Sequence, residues 1–315
     1  MKSIIKTVCS GVFLGTLLAS QVAIAQDLTL ATGRQGGSQY PITVAIAQVI
    51  ESLPQFNSVT LKPGGGTSNV AAIGMGQAEL AITLSPSAVS GLKGEKPYKE
   101  AYGNITQLFA LHGFKITTIV RNDSDIKSFK DLEGKKVSIG PNGWTINTMA
   151  KKILKMDGIT INAQTLKPND AVQQLKDGNI DAIINTPSDL YAPFIDLATS
   201  REVRLVPLNA KTQSTLIAEN PSFYLSTWPA DPSAYRKLKN TVETVSYPNI
   251  IIANGKTMSN EAAYAVTKAV AENFEKVAAS ERSLSVLKLN QLALDVGIPL
   301  HPGSAKYFRE QGWIK

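Results

Sequence analysis

Apolar and polar positions recur along this chain with two periods that take turns. "DLTLATG", from Asp27, alternates as a strand does; after a glycine-rich loop, Ile42, Ile46, Val49, Ile50 and Leu53 return at helical spacing. Pro41 falls in the first turn of that helix, where its missing N–H costs nothing. "SVTLKP" predicts a second strand, "GGGTSN" a second glycine loop, the stretch from about Asn69 to Gly76 a short helix, and "AELAITLS" a third strand. Strand, loop and helix repeated in this way predict a mainly parallel sheet whose ligand crevice lies at the carboxyl ends of its strands.

The middle of the chain repeats the plan. "KKVSIG" predicts a strand and "PNGWT" a loop, and Ile146, Met149, Ile153 and Leu154 share one face of a helix that Gly158 stops. Gly76-Gln-Ala-Glu79 before "LAI" is echoed by Gly178-Asn-Ile-Asp181 before "AII", which predicts two similarly built lobes. Two long apolar runs, "LFALHGFKITTIVR" and "TVETVSYPNIIIANG", predict a hinge of two crossing segments. The expected division is 26–112 with 249–315 as one lobe and 113–248 as the other. After the second crossing, a helix capped by Ser259 or Asn260 carries Val266, Val270, Phe274 and Val277 on one side. The expected fold is α/β and bilobed, like a type II periplasmic binding protein: a clamshell with glycine-lined faces.

The N-terminus changes the compartment. Lys2 and Lys6 precede the apolar run Val12 to Leu18, and Ala23-Ile24-Ala25 follows as a cleavage signature, so residues 1–25 read as a secretory signal and the location as the periplasm. The run is short for a membrane span, which needs about 20 apolar residues. The only cysteine, Cys9, lies inside that signal, which leaves the mature protein without thiol or disulfide chemistry. The remaining 290 residues suit two domains at about 150 each. The formal charge of +7, or +5 without the two lysines, is spread along the chain with no basic stripe, so nucleic acid is excluded as a partner.

Catalytic motifs are missing. There is no G-x-S-x-G, and His112 and His301 lie in separate segments outside any metal-ligand spacing. The glycine loops fit neither nucleotide fingerprint. The chain therefore reads as a binding protein without catalytic residues, metal or cofactor. Its candidates are loop and helix-start residues: Gly37, Ser38, Gln39 and Tyr40 in the first glycine loop; Gly66, Thr67 and Asn69 in the second; Trp144 and Thr145 in "PNGWT"; and Asn185 in "INTPSDL". Gly33, Gly36 and Gly37 loosen the backbone before a helix start, which suits either an anion or a tight turn. Thr67, Ser68 or Asn69 supplies an N-cap to the second helix. Trp144 either stacks on a ligand or packs beneath its helix. His301 reads as structural, and His112 as structural or as a pH-dependent element of closure. Tyr224, Trp228 and Tyr235 fit a cleft rim or a core edge.

"TGRQGGSQYP", "PGGGTSN" with "GMGQAELAI", "DLEGKKVSIG", "DGNIDAII" and "PLHPGSAKYFREQG" follow in the order of landmarks that resembles the TAXI family of solute receptors for tripartite ATP-independent periplasmic (TRAP) transporters. The resemblance implies a receptor that captures a small organic anion, a glutamate-like amino acid or dicarboxylate, and delivers it to a TRAP membrane permease as a monomer. It implies that Gly37, Ser38 and Tyr40 match "G-G-T-Y-Y" with Gln39 in place of the first tyrosine. Asn69 matches the asparagine of "G-G-S-x-x-N", with Gly66 or Thr67 in the serine place. Thr145 matches the threonine of "G-S-G-T", with Trp144 in place of a small glycine, and Asn185 falls in the "V-x-G-x-P" region. A rival receptor reading docks the liganded protein on a membrane kinase, and an enzyme is the remote alternative.

Overall fold

A computed structural model describes residues 26–35, 37–142 and 144–315. The expected signal, 1–25, and Gly36 and Gly143 of the two loops lie outside the described residues. In chain order the first elements are β1 (Gln26–Thr32), α1 (Gln39–Glu51), β2 (Phe56–Pro63), α2 (Gly66–Gly74), β3 (Leu80–Leu84), α3 (Ser85–Lys93), β4 (Ile105–Lys115) and β5 (Thr117–Arg121). Next come β6 (Lys136–Ser138), α4 (Thr145–Met156), β7 (Asn162–Gln164), α5 (Pro168–Asp177), β8 (Ala182–Asn185), α6 (Ala192–Ser200), β9 (Val203–Val206) and α7 (Ala210–Glu219). The chain continues with β10 (Tyr224–Trp228), β11 (Val242–Asn254), α8 (Asn260–Glu272), α9 (Phe274–Ala278) and α10 (Pro302–Glu310).

The strands form two sheets, as the bilobed α/β reading requires. The first has the order β10-β11-β3-β1-β2, with β4 also paired to β11, and the second β7-β6-β8-β5-β9. The expectation of mainly parallel sheets is corrected to mixed ones. Among the pairings of the described strands only β1–β2, β1–β3, β6–β7 and β6–β8 are parallel; every strand pairing made by β11 or β5 is antiparallel. The cause is the crossing itself: a chain that leaves one sheet for the other and later returns must lay one segment against the grain in each.

The two lobes share a construction. β1-α1-β2-α2-β3 gives the order β2-β1-β3, and β6-α4-β7-α5-β8 gives β7-β6-β8. In each, the first helix packs on one face and the second on the other: α1 buries Ile42, Ile46 and Ile50 in one core and α2 buries Val70 and Ile73 in another. Likewise α4 buries Ile146 and Ile153 opposite the face where α5 buries Val172 and Leu175. The glycine-acid echo is physical. Gly76 and Gly178 both turn with φ near +70° (69° and 77°), Glu79 Oε2 accepts the Thr29 N–H at 2.7 Å, and Asp181 Oδ2 accepts the Lys136 N–H at 2.8 Å. Each acid ties the start of its lobe's third strand to the strand beside it.

β4 and β11 are the crossing segments. β4 runs into β5 with only Ile116 between them, and β11 pairs with β10 over 242–246 and with β3 over 249–253. β10 lies inside the expected 113–248 division yet belongs to the first sheet, while its Trp228 packs in a core of the second lobe. That boundary therefore cuts a continuous ribbon. No described helix is long and apolar enough to cross a membrane.

Candidate functional site

Strand direction points to a candidate site. β1, β3 and β4 point the same way, since β3 and β4 are both antiparallel to β11, and β4 leads straight into the second lobe. The carboxyl ends of β1 and β3 therefore face that lobe. β5 runs away from the hinge, and β8 and β6 oppose it, so their carboxyl ends face back. The point where crossovers diverge, between β1 and β3 on one side and β6 and β8 on the other, is where an α/β sheet opens a crevice. The two crevices confront each other.

On the first lobe, α1 begins at Gln39 behind Ser38, and no side chain caps it. Gly37 donates to the Arg34 carbonyl at 2.9 Å and its own carbonyl accepts from the Tyr40 N–H at 3.1 Å, a turn that leaves Gly37 and Ser38 exposed and Tyr40 partly exposed. Gln39 turns inward: its Nε2 donates to Asn249 Oδ1 at 2.6 Å, and Asn249 Nδ2 lies 3.4 Å from His112 Nε2. Gly33 makes room for this, because a Cβ there would come 2.7 Å from the Gln39 Cβ.

The second glycine loop departs from expectation. The N-cap of α2 is Gly65; Ser68 reaches back from the first turn, accepting the Gly65 N–H at 2.9 Å. Asn69 does not present its amide to the crevice. It is 1% exposed, its Oδ1 accepts the Gly65 N–H at 3.1 Å, and its Nδ2 donates to the carbonyls of Thr32 at 3.0 Å and Ile82 at 2.8 Å. The expected ligand contact at Asn69 is thus corrected to a strap joining the ends of β1 and β3 to α2. Gly64 permits it, since a Cβ there would fall 2.1 Å from Asn69 Oδ1. Gly66 and Thr67 stay at the helix start, with Thr67 exposed.

On the second lobe Trp144 is the N-cap residue of α4, 47% exposed, and Thr145 follows it, also exposed. Asn147 holds the loop by donating to the Gly140 carbonyl at 2.9 Å. Asn185 Oδ1 accepts the Thr186 N–H at 2.7 Å and its Nδ2 reaches the Tyr191 hydroxyl at 3.5 Å. Trp144 and Tyr191 line one pocket of about 400 Å³ with Lys167, Pro168, Asn169, Asp170 and Pro193. The candidates thus fall into two groups, one on each confronting edge, and no hydrogen bond links the groups among the described residues.

Sequence reasoning missed a buried charge pair where β4 crosses into the second lobe. Lys115, 5% exposed at the end of β4, forms a short ion pair with Asp189 of the loop after β8. Burial pushes the Lys115 ammonium pKa down and Asp189 opposes that shift. Burial, helped by the Asp189 charge, raises the Tyr224 hydroxyl to about 12. The signal was present, a lysine inside "LFALHGFKITTIVR", since a charge in a buried strand demands a partner. Of the aromatic residues left open, Trp228 and Tyr235 are core. Trp228 Nε1 donates to the Ser188 carbonyl at 3.3 Å, and the Tyr235 hydroxyl donates to the Asp189 carbonyl at 2.7 Å, so both hold that loop.

Both histidines are buried structural groups. Burial, with Lys115 adding to it, pushes His112 down to about 3, which removes it as a pH-dependent element of closure near neutrality. His301 caps α10, its Nδ1 accepting the Gly303 N–H at 3.3 Å while Nε2 meets the Met258 carbonyl at 3.1 Å.

Two solved structures are similar to the chain. One is the periplasmic aliphatic sulphonate binding protein SsuA from Escherichia coli, 15% identical over 90% of this chain and 83% of that one, with a TM-score of 0.44. The other is XAC2383 from Xanthomonas citri bound to ATP, 11% identical over 91% and 95%, with a TM-score of 0.49. In sequence, the NMT1-like family matches residues 30–312, from β1 to just beyond α10. The chain belongs to the NMT1-like family.

Proposed function

We propose that the protein is a periplasmic solute receptor that captures a small organic anion, a glutamate-like amino acid or dicarboxylate, between its lobes and delivers it to a TRAP-type membrane permease. The observation that carries this reading is the confrontation of two carboxyl edges across a hinge of two strands. Uncapped helix starts at α1 and α4 supply a favourable dipole for an anion, and α4 adds the N–H groups of Thr145 and Ile146; at α1 the Tyr40 N–H is already held by the Gly37 carbonyl and Pro41 has none. Ser38, Tyr40 and Thr67 offer polar groups from one edge, and Trp144 and Thr145 from the other. Gln39 and Asn69 act behind them, fixing the loops. Domain closure around a ligand suits a division at 26–112 with 249–315 against 113–248, with the β10–β11 ribbon spanning its boundary.

The test is thermal unfolding of the purified protein against amino acids, dicarboxylates, oxo acids and aromatic acids, after native mass spectrometry shows that no molecule has been carried through purification. A ligand at 100 times its Kd adds about 2.7 kcal/mol, or roughly 5–10 °C. A shift with one carboxylate class and none with neutral analogues is expected. No shift with any of the panel overturns the reading.

A further inference from the structure

The pocket of about 400 Å³ on the second lobe carries a combination that a generic anion site does not need. Its lining holds two aromatic rings, one cation and one carboxylate: Trp144, Tyr191, Lys167 and Asp170. Lys167 is the N-cap residue of α5 and Asp170 its third residue, so they are three positions apart on one face of the first turn. Neither appears among the ion pairs of the described residues. No side chain caps α5, and Pro168 has no N–H of its own, so the N–H groups of Asn169 and Asp170 are the ones left at that helix start. Trp144 meanwhile leaves nearly half of its surface uncovered.

We infer that this pocket holds a zwitterionic aromatic α-amino acid, with its carboxylate on Lys167 and the α5 start, its ammonium on Asp170, and its ring against Trp144 and Tyr191. The inference rests on the receptor reading and replaces the glutamate-like side chain with an aromatic one. A dicarboxylate would bring a second negative charge to a lining whose only cation is Lys167 and would set it beside Asp170, an arrangement that costs binding. An amino acid carries opposite charges on neighbouring atoms, which the i, i+3 pair can meet together. Its ring would cover the indole, and the cavity lies within the volume range of small-molecule sites.

Isothermal titration of the purified full-length mature protein with L-phenylalanine, L-glutamate, succinate and phenylacetate tests it, with circular dichroism melting to show that each variant folds. L-Phenylalanine is expected to bind tightest. Trp144→Ala and Lys167→Gln should each weaken it about tenfold or more. Asp170→Asn should weaken L-phenylalanine by a similar factor without weakening phenylacetate, which has no ammonium. Binding of glutamate or succinate but not L-phenylalanine overturns this inference and leaves the receptor reading standing. Unchanged L-phenylalanine affinity in Asp170→Asn overturns the assignment of the ammonium. Silence with all four compounds overturns the inference; silence across the wider panel overturns the receptor reading as well.

Discussion

Asn249 and His112 face each other across the two crossing strands, with Asn249 Nδ2 3.4 Å from His112 Nε2. Because Gln39 already donates to Asn249 Oδ1, the amide as oriented by this network has only its NH₂ to offer the ring. Nε2 then accepts, the imidazole is the Nδ1–H tautomer, and that N–H is buried without a partner. A buried donor left in this way costs about 1–3 kcal/mol. The first glycine loop is therefore coupled, through Gln39, to a strained polar site on the hinge.

The pH dependence of stability follows from that histidine. His112 sits at about 3 in the folded chain against 6.5 when unfolded, so its contribution is fully present above pH 6.5 and is lost as pH falls toward 3. His301 is lowered as well, and the chain has two histidines in all. Urea unfolding between pH 6.5 and 5, above most carboxylate titration, should show stability falling with acidification, with His112 contributing up to about 1.4 kcal/mol per pH unit. In His112→Gln the slope should be shallower by that share.

Breaking the Lys115–Asp189 pair from one side should be severe. Asp189→Asn leaves a buried ammonium unmatched and is expected to cost about 3–5 kcal/mol in urea unfolding. The double replacement Lys115→Met with Asp189→Leu should cost clearly less than Asp189→Asn alone.

Asn69→Ala should act on stability first. It strips the Gly65 N–H and the carbonyls of Thr32 and Ile82 of a partner, for an expected loss of about 2–3 kcal/mol. Tyr40→Ala, at a partly exposed helix start, should change the melting temperature little and lower ligand affinity, as titration with whichever compound stabilises the protein would read.

Glu79→Gln and Asp181→Asn should behave as the same experiment done twice. Each weakens a carboxylate hydrogen bond to a neighbouring strand's N–H, at about 1 kcal/mol apiece, and the two should add because the sites lie in different lobes. Two separate transitions, each moved by only one of the mutations, would show instead that the lobes unfold independently.

Much of the fold was legible because periodicity and punctuation agreed: Gly158 and Gly178 turn at the ends of helices whose apolar faces are plain in the sequence. Strand direction was not legible. Nothing in "TVETVSYPNIIIANG" says that it returns against β3, and that one segment makes the first sheet mixed. Among the candidate site residues, the helix-start positions follow from the loops that precede them. Asn69 was misplaced because an asparagine at a helix start serves a ligand or a backbone equally well, and only the space over Gly64 decides between them. Tyr191, Lys167 and Asp170 gave no local pattern; a shared pocket gathers them from two separate helix starts.

The placement of β11 also sets the order in which this chain can be completed as it is synthesised. All five strands of the second sheet lie within 117–206, so that sheet has every strand it needs by the time β9 is made. The first sheet does not: β11, the last strand made, inserts between β3 and β10 and also pairs β4. Until then β3, Leu80–Leu84, has an open apolar edge, the kind of surface that invites pairing with another chain. The older sheet of the nascent protein thus waits, unsealed, for residues made after the younger sheet already has all its strands.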